Sequence, residues 1–164
     1  MSIKISYPVP VDKAIEEAVE DIKKQVEARS YTAANELRNS ALTILRGARS
    51  GRRYKVPGTY RRQRDKVSGK MKNGRYYTAS APGEPPAMRT GTFRRSWQPT
   101  AKALFGSYIS RIESDVRTDN GKYLLGEILE EGTPGGKIAP RPHHDKILKH
   151  AEPKIRRIYS APYD

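Results

Sequence analysis

The longest regular pattern of apolar positions lies near the N-terminus, between Asp12 and Arg49. Apolar residues recur there at steps of three and four, which places them on one face of a helix. Asp12 can cap its start, and Gly47 and Ser50-Gly51 mark its end. The sequence therefore predicts a long amphipathic helix over residues 12–49. Its apolar positions are Ile15, Ala18, Ile22, Val26, Ala33, Leu37, Ala41, Ile44 and Ala48.

The predicted helix is unusually long for a chain of 164 residues. At 1.5 Å per residue it would extend about 55 Å, which exceeds the width of a compact domain of this size. Two interpretations are equally favoured. The helix lies on its own sheet, with a kink near residues 30–32, or its far end packs between subunits of a ring.

Weaker patterns surround this helix. Alternation of Ile3, Ile5 and Tyr7 with polar residues predicts a short strand or extended arm over residues 1–11. Residues 104–116 are typical of a strand, and Asp119-Asn120-Gly121 is typical of a turn. One face of this strand is expected to carry Tyr108, Ser110 and Ile112.

Two further helices are expected near the C-terminus. Residues 122–131 fit a second strand of a hairpin or a short helix, and their leucines and glutamates favour the helix. The apolar spacing of residues 143–160 predicts a closing helix that Pro153 kinks or restarts.

These elements predict an α+β fold in a single domain over residues 1–164: a long N-terminal helix and a C-terminal helix packed on a small, mostly antiparallel sheet, with a long basic loop insertion. Its parts are an N-terminal arm (1–11), the long helix (12–49), a basic and proline-rich extended loop (50–92), a sheet with a short helix (93–142) and the C-terminal helix (143–160).

Composition indicates that part of this chain is either left uncovered or covered by a partner. Only 35% of residues are apolar and the mean hydropathy is −0.82, both low for a globular domain. No apolar run approaches the roughly 20 residues of a membrane span, and no signal peptide is recognisable, so we expect a soluble, non-exported protein that contacts no membrane. The absence of cysteine excludes disulfides and thiol chemistry.

The positive charge is concentrated between Arg46 and Arg75, where twelve cations face the single acid Asp65 and supply +11 of the net +14. Tyrosines are interleaved with the cations, and Asn73-Gly74 is a candidate hairpin turn. Such a loop suits phosphate or an acidic protein surface. Docking onto protein is favoured somewhat over DNA contact, and a loop that is only solvated is the third alternative. The candidate contact residues are Arg49, Arg52, Arg53, Lys55, Arg61, Arg62, Arg64, Lys70, Lys72 and Arg75.

No catalytic, cofactor or metal site is predicted, and no small-molecule substrate is expected. His143-His144-Asp145 and His150 raise a metal hypothesis, but they lack the spacing of known metal motifs and are ordinary at a helix start. Glu127, Glu130, Glu131 and Asp145 are explained better as surface acids than as a nuclease site.

The segment from Tyr76 to Trp97 forms a shaped loop, because its prolines exclude an ordinary helix or central strand. Two glycines supply turns before the apolar anchors Phe93 and Trp97. Such a loop can simply connect two elements, or it can bind a neighbour, since a preshaped loop costs little entropy to order at an interface. The candidate interface residues are Pro82, Gly83, Pro85, Pro86, Thr90, Gly91, Phe93 and Trp97.

This segment resembles the hallmark of the head-tail joining proteins of long-tailed bacteriophages, also called tail completion or neck proteins. The hallmark is S-A-P-G-x-P-P followed by T-G-x-[LF]-R-x-S, here residues 80–86 and 90–96. Three later features match in order: Tyr123 before Leu124-Leu125, Glu130 to Thr133, and Ala139 to Pro142. The chain departs from the family at Glu131, usually an aromatic residue, and at His143-His144, usually Phe-Leu.

The resemblance implies a structural virion protein rather than an enzyme. It implies a ring of six or twelve subunits that joins the head to the tail, contacts other neck and tail proteins, and assembles in the host cytoplasm. The basic loop would then face the lumen and contact genomic DNA without reading its sequence. The alternative is a small basic nucleic-acid-binding protein acting alone, and a metal-dependent nuclease is third.

Overall fold

The computed structural model describes residues 11–56, 63–64, 67–69, 71–72 and 74–163, with the backbone alone at 63–64 and 71–72. The arm expected over residues 1–11 lies almost entirely outside the described residues. None of the helices in the described ranges combines the length and the apolar character needed to span a membrane.

The long N-terminal helix is present and unbroken. Helix α1 runs over Val11–Arg46, close to the predicted range, with Asp12 in its first turn. Its buried residues all lie in its second half, from Ser30 to Leu45. Small residues dominate that face, since Ala33, Ala34 and Ala41 are fully buried and let neighbouring elements approach the helix closely.

The basic region forms two short antiparallel ribbons rather than a featureless loop. Strand β1 (Arg53–Lys55) pairs with β4 (Tyr76–Thr78), and between them β2 (Gln63–Arg64) pairs with β3 (Met71–Lys72). The turn expected at Asn73-Gly74 therefore does not join two paired strands, because β3 and β4 have different partners. Asn73 itself lies outside the described residues.

A third ribbon packs on the second half of α1. The short helix α2 (Thr92–Arg95) leads into β5 (Gln98–Leu104), which pairs with β6 (Ser107–Glu113). The predicted strand over 104–116 covers β6, and Tyr108, Ser110 and Ile112 share its more buried face as expected. The tight turn at Phe105-Gly106 and the whole of β5 were not predicted.

The C-terminal helices follow the sequence patterns. Residues Leu125–Glu131 form the short helix α3, which confirms helix over strand in this segment. Helix α4 (His144–Ser160) continues through Pro153 as a single helix. The expected turn at residues 119–121 is present, because the Gly121 amide donates to the Thr118 carbonyl at 2.7 Å.

The fold is α+β, as predicted, with a long N-terminal and a C-terminal helix. In the described residues the strands form three separate two-stranded ribbons instead of one small sheet. The core lies where α1, α4 and the start of β5 meet, and contains Ala41, Leu45, Trp97 and Ile147. This core occupies one end of the molecule and leaves the first half of α1 outside it.

Candidate interaction site

The proline loop is fixed to the end of α1 by Glu84. Its carboxylate accepts hydrogen bonds from Ser50 Oγ (2.6 Å), the Ser50 amide (3.1 Å) and the Ala81 amide (2.9 Å). The bonds from Ser50 and Ala81 stabilise the charged form and lower the pKa of Glu84 to about 2. Gly51 is required beside this contact, since an added Cβ would lie 2.5 Å from the Ala79 carbonyl oxygen.

Arg49 joins the same loop to the C-terminus of α1. Its guanidinium donates to the carbonyls of Ile44 (2.9 Å), Gly47 and Ala48 (both 2.8 Å), and also to that of Pro86 (3.1 Å). Burial lowers the pKa of Arg49, opposed by the nearby carboxylate of Glu84. Arg49 is thus a helix cap that points inward, and we remove it from the candidate partner-contact residues.

The other side of the proline loop is held by the segment before α4. Arg141 Nη1 donates to the Ser80 carbonyl at 2.5 Å, and Lys146 Nζ donates to the Gly83 carbonyl at 2.8 Å. The Gly83 amide donates to the Pro140 carbonyl at 3.3 Å. Two motifs that lie about 60 residues apart in the sequence therefore form one rigid frame.

A cavity of about 780 Å³ lies beside this frame. Its apolar wall includes Leu45 from α1, Phe93 from α2, and Leu125 and Leu129 from α3. Its rim includes Arg89, Thr90 and Arg117, which are exposed, so the cavity opens to solvent. The proline loop, α2 and α3 meet here, which makes it a candidate docking site.

Four arginines line the cavity against one acid, Asp119. Within the described part of the chain none of the four forms an ion pair. Two buried polar atoms on the walls, Ser80 Oγ and Arg94 Nε, also have no hydrogen-bond partner among these residues. A cavity with unpaired cations and unsatisfied polar atoms suits a ligand that brings carboxylates or phosphates. The four arginines are Arg89, Arg94, Arg117 and Arg141.

The predicted interface residues do not share one surface. Pro82, Gly83 and Thr90 are exposed, whereas Pro86 and Gly91 are buried in the frame. Trp97 is 5% exposed and belongs to the core, and Phe93 packs against it with ring centroids 5.6 Å apart. We therefore drop Trp97 as a partner contact, since its side chain already stabilises the fold.

The basic arm, defined as the region from Arg52 to Thr78, displays cations beside tyrosines. Arg53 lies 4.7 Å from the ring centre of Tyr76, and Arg52 lies 5.6 Å from that of Tyr54. Tyr54 stacks on Tyr77 at 5.9 Å. The cations Arg52, Arg53, Lys55 and Arg75 are exposed.

The structure does not describe the side chains of the other candidate cations. Arg61, Arg62 and Lys70 lie outside the described residues. Arg64 lies in β2 and Lys72 in β3, where the backbone alone is described.

Glu130, His143 and His144 form a cluster that the sequence did not predict as a unit. Their potential ligand atoms lie within 4.8 Å of one another, a spacing that a metal ion could use. However, Glu130 Oε2 already accepts from the His143 amide (2.9 Å) and the His144 amide (3.3 Å), so the carboxylate caps α4. It also lies 2.6 Å from His143 Nδ1, while burial lowers the pKa of His143. Helix capping explains this cluster.

This cluster does not include the other acids and histidines near α4. His150 Nδ1 lies 3.0 Å from Ser40 Oγ, which links α4 to α1. Glu127, Glu131 and Asp145 are exposed.

Comparisons of the chain with protein-family models, with curated proteins and with solved structures find no match.

Proposed function

We propose that this protein is a structural component of the neck of a long-tailed bacteriophage, a head-tail joining or tail completion protein. It assembles into a ring, of six or twelve subunits by the resemblance, and contacts other neck and tail proteins. In this proposal the protein performs no catalysis, and it is a part of the virion.

One observation carries the proposal. The first half of α1 extends beyond the core and exposes apolar side chains on one face: Val11 is 62% exposed, Ile15 56%, Val19 45% and Ile22 49%. An apolar helical face of this extent is stable in water when a partner covers it. Assembly with other copies or other virion proteins would supply that cover.

The motifs that carry the resemblance give further support. Their residues are used to build the rigid frame: Glu84 and Pro86 bind the end of α1, and Arg141 binds the loop at Ser80. A frame held from both sides presents the exposed residues Pro82 and Thr90 in a fixed arrangement. Such preorganisation lowers the entropy cost of forming an interface.

A ring also needs two different complementary patches on each subunit, because cyclic closure repeats one head-to-tail contact. The first half of α1 and the cavity beside the proline loop are two such patches. The basic arm is then free to contact DNA in the lumen through phosphate groups.

Disruption of the coding sequence in a phage genome that encodes the protein tests the proposal. We expect complete heads and complete tails that remain separate in electron micrographs, with joining restored when the protein is supplied from a plasmid. Particles that join normally without the protein would contradict the assignment.

A nucleic-acid-binding protein that acts alone is the second candidate, favoured by the cation and tyrosine pairs of the basic arm. It predicts a monomer or dimer that binds duplex DNA, with an affinity that falls steeply as salt rises. Light scattering at low and physiological salt, with and without DNA, separates this candidate from a ring that forms without DNA.

A further inference from the structure

We propose that the first half of α1 in one copy docks into the arginine-lined cavity of a second copy. The inference rests on the proposed function in one respect, that the protein assembles with itself. It adds which two surfaces meet, and it assigns the cavity an occupant.

The docking segment, residues 11–22 of α1, carries charge and apolar surface together. It has five carboxylates against the single ammonium of Lys13, a net charge of −4. All of these residues are exposed. At 100° per residue, Val11, Ile15, Val19 and Ile22 fall within one narrow stripe, with Asp12 and Glu16 on one flank and Asp21 on the other.

The cavity has the complementary character. Four guanidiniums against Asp119 give its lining a net charge of +3. Leu45, Phe93 and Leu125 offer an apolar wall behind the charged rim. An apolar stripe flanked by carboxylates would thus meet an apolar wall flanked by arginines. The carboxylates would accept hydrogen bonds from Arg94 Nε, which has no partner among the described residues, and from the other guanidiniums.

The helix cannot fill the cavity of its own chain. Leu45 lines the cavity near the C-terminal end of α1, whereas Ile15 lies near the N-terminal end. Thirty residues of unbroken helix separate the two by about 45 Å. The contact must therefore join two copies, and its head-to-tail repetition produces a ring when the rotation closes.

A phosphate backbone is the competing occupant of the cavity. The cavity is concave and partly apolar, while a duplex offers an anionic surface without apolar side chains, so the docking segment fits better. Exposed cations of the basic arm, such as Arg52 and Arg53, offer DNA a more accessible surface.

A charge-exchange experiment on the full chain tests this contact. A helix variant carries Asp12→Lys and Glu16→Lys, and a cavity variant carries Arg89→Glu and Arg117→Glu. We expect a multimeric mass by light scattering for the wild type, a monomeric mass for each variant alone, and a multimeric mass for their equimolar mixture. The mixture recovers because the two introduced lysines of the helix variant then meet the two introduced glutamates of the cavity variant, and the acidic helix of the cavity variant meets an unaltered cavity.

Several results would overturn the inference. These are a wild type that stays monomeric at high concentration, a variant that alone keeps the wild-type mass, or a mixture that remains monomeric. A cavity variant that stays multimeric but no longer binds duplex DNA would identify the cavity as a phosphate site instead. Each variant is checked by circular dichroism, since a helical spectrum and a cooperative melt show that it is folded.

The matched control reverses two exposed cations on α4, Lys149→Glu and Arg157→Glu, and makes the same change of charge as the cavity variant. We expect its mass to equal that of the wild type. Dissociation of this control as well would attribute assembly to overall charge and overturn the specific contact.

Disulfide trapping supplies a second readout, because the sequence has no cysteine. Chains with Ile15→Cys mixed with chains with Thr90→Cys should form covalent heterodimers on mild oxidation. The pair of Ile15→Cys with Lys149→Cys should not. Equal trapping of both pairs would contradict docking at the cavity.

The two proposals fail in different ways. Multimers that survive every charge change would remove this contact but leave a neck protein that assembles through another surface. Phage particles that join without the protein would remove the neck assignment, while the charge-exchange result would still stand.

Discussion

At the scale of single residues, the carboxylate of Glu84 holds together two segments of the chain that are distant in the sequence. It brings Ser50 and Ala81 to one carboxylate, although these residues lie 34 and 3 positions away. The hydrogen bonds favour the ionised group, so the folded pKa of about 2 lies below the ordinary value of 4.5. Its stabilising contribution is therefore complete above the ordinary pKa and is lost as the pH falls towards the folded one.

The substitution Glu84→Gln tests this role. We expect a lower melting temperature than that of the wild type at neutral pH, because a neutral amide accepts weaker hydrogen bonds and cannot serve all three donors. The difference should shrink between about pH 5 and about pH 2, where the wild-type carboxylate becomes protonated. Thermal unfolding followed by circular dichroism gives both values.

Glu127→Gln is the control, since this exposed acid lies on α3 away from the frame. Its melting temperature should follow the wild type across the same pH range. If the melting temperature of Glu84→Gln lies below that of the wild type by the same amount at every pH, the shape of the Glu84 side chain, rather than its charge, stabilises the fold.

At the scale of elements, the two halves of α1 differ in how much of their apolar surface is buried. The second half supplies Ala41 and Leu45 to the core, while the first half lies outside it with Ile15 exposed. Both halves carry the same kind of apolar periodicity. Burial within the chain distinguishes them: the second half contributes to the core, and the first half is the docking segment that we propose.

Two alanine substitutions on this helix test the two halves separately. Leu45→Ala should lower the free energy of unfolding by about 2–5 kcal/mol, because it leaves a cavity in the core. Ile15→Ala should change it by less than about 0.5 kcal/mol at concentrations where the protein is monomeric. Urea denaturation measures both, and light scattering should show weaker association for Ile15→Ala.

A large loss of monomer stability in Ile15→Ala would contradict the division of α1. It would indicate that the first half contributes to the fold of the single chain. Unchanged association in the same variant would count against its role as a docking segment.

At the scale of the whole molecule, the positive charge of the basic arm is separate from the acidic first half of α1. The basic arm holds exposed cations, whereas the docking segment is acidic. A chain of net charge +14 therefore has one region that attracts anions and another that attracts cationic surfaces. In the proposed assembly, this asymmetry would let copies associate while the arm stays available for DNA or another protein.

Charge reversal in the basic arm should change DNA binding without unfolding the protein. Arg52→Glu with Arg53→Glu should weaken duplex binding and reduce the slope of log affinity against log salt, by about 0.9 for each phosphate that the variant no longer neutralises. Fluorescence anisotropy with labelled DNA at several salt concentrations measures both. The α4 pair Lys149→Glu and Arg157→Glu, with equal charge change, should retain the wild-type slope.

The same reversal extended to Arg61 and Arg62 tests the arm in the virion. We expect fewer joined particles or poorer retention of DNA, with the fold unchanged. Normal virions from this fourfold variant would refute the role of the arm.

The sequence determined the elements whose signals are local. Apolar spacing predicted α1 and α4, and residue preference predicted α3. The Asp119-Asn120-Gly121 turn and the alternating faces of β6 also follow from neighbouring residues. Helical periodicity and turn chemistry depend on contacts a few positions apart, so they can be read before the chain is folded.

Only the tertiary structure decided which of these residues are covered and which groups meet. The sequence did not indicate that Trp97 enters the core, that Arg49 turns inward to cap α1, or that Glu130 caps α4. Nor did it indicate that β1 pairs with β4, or that a cavity lined by arginines forms between the proline loop and α3. These features depend on contacts between segments that are distant in the sequence. A local pattern does not identify which distant residues will pack against it in the folded chain.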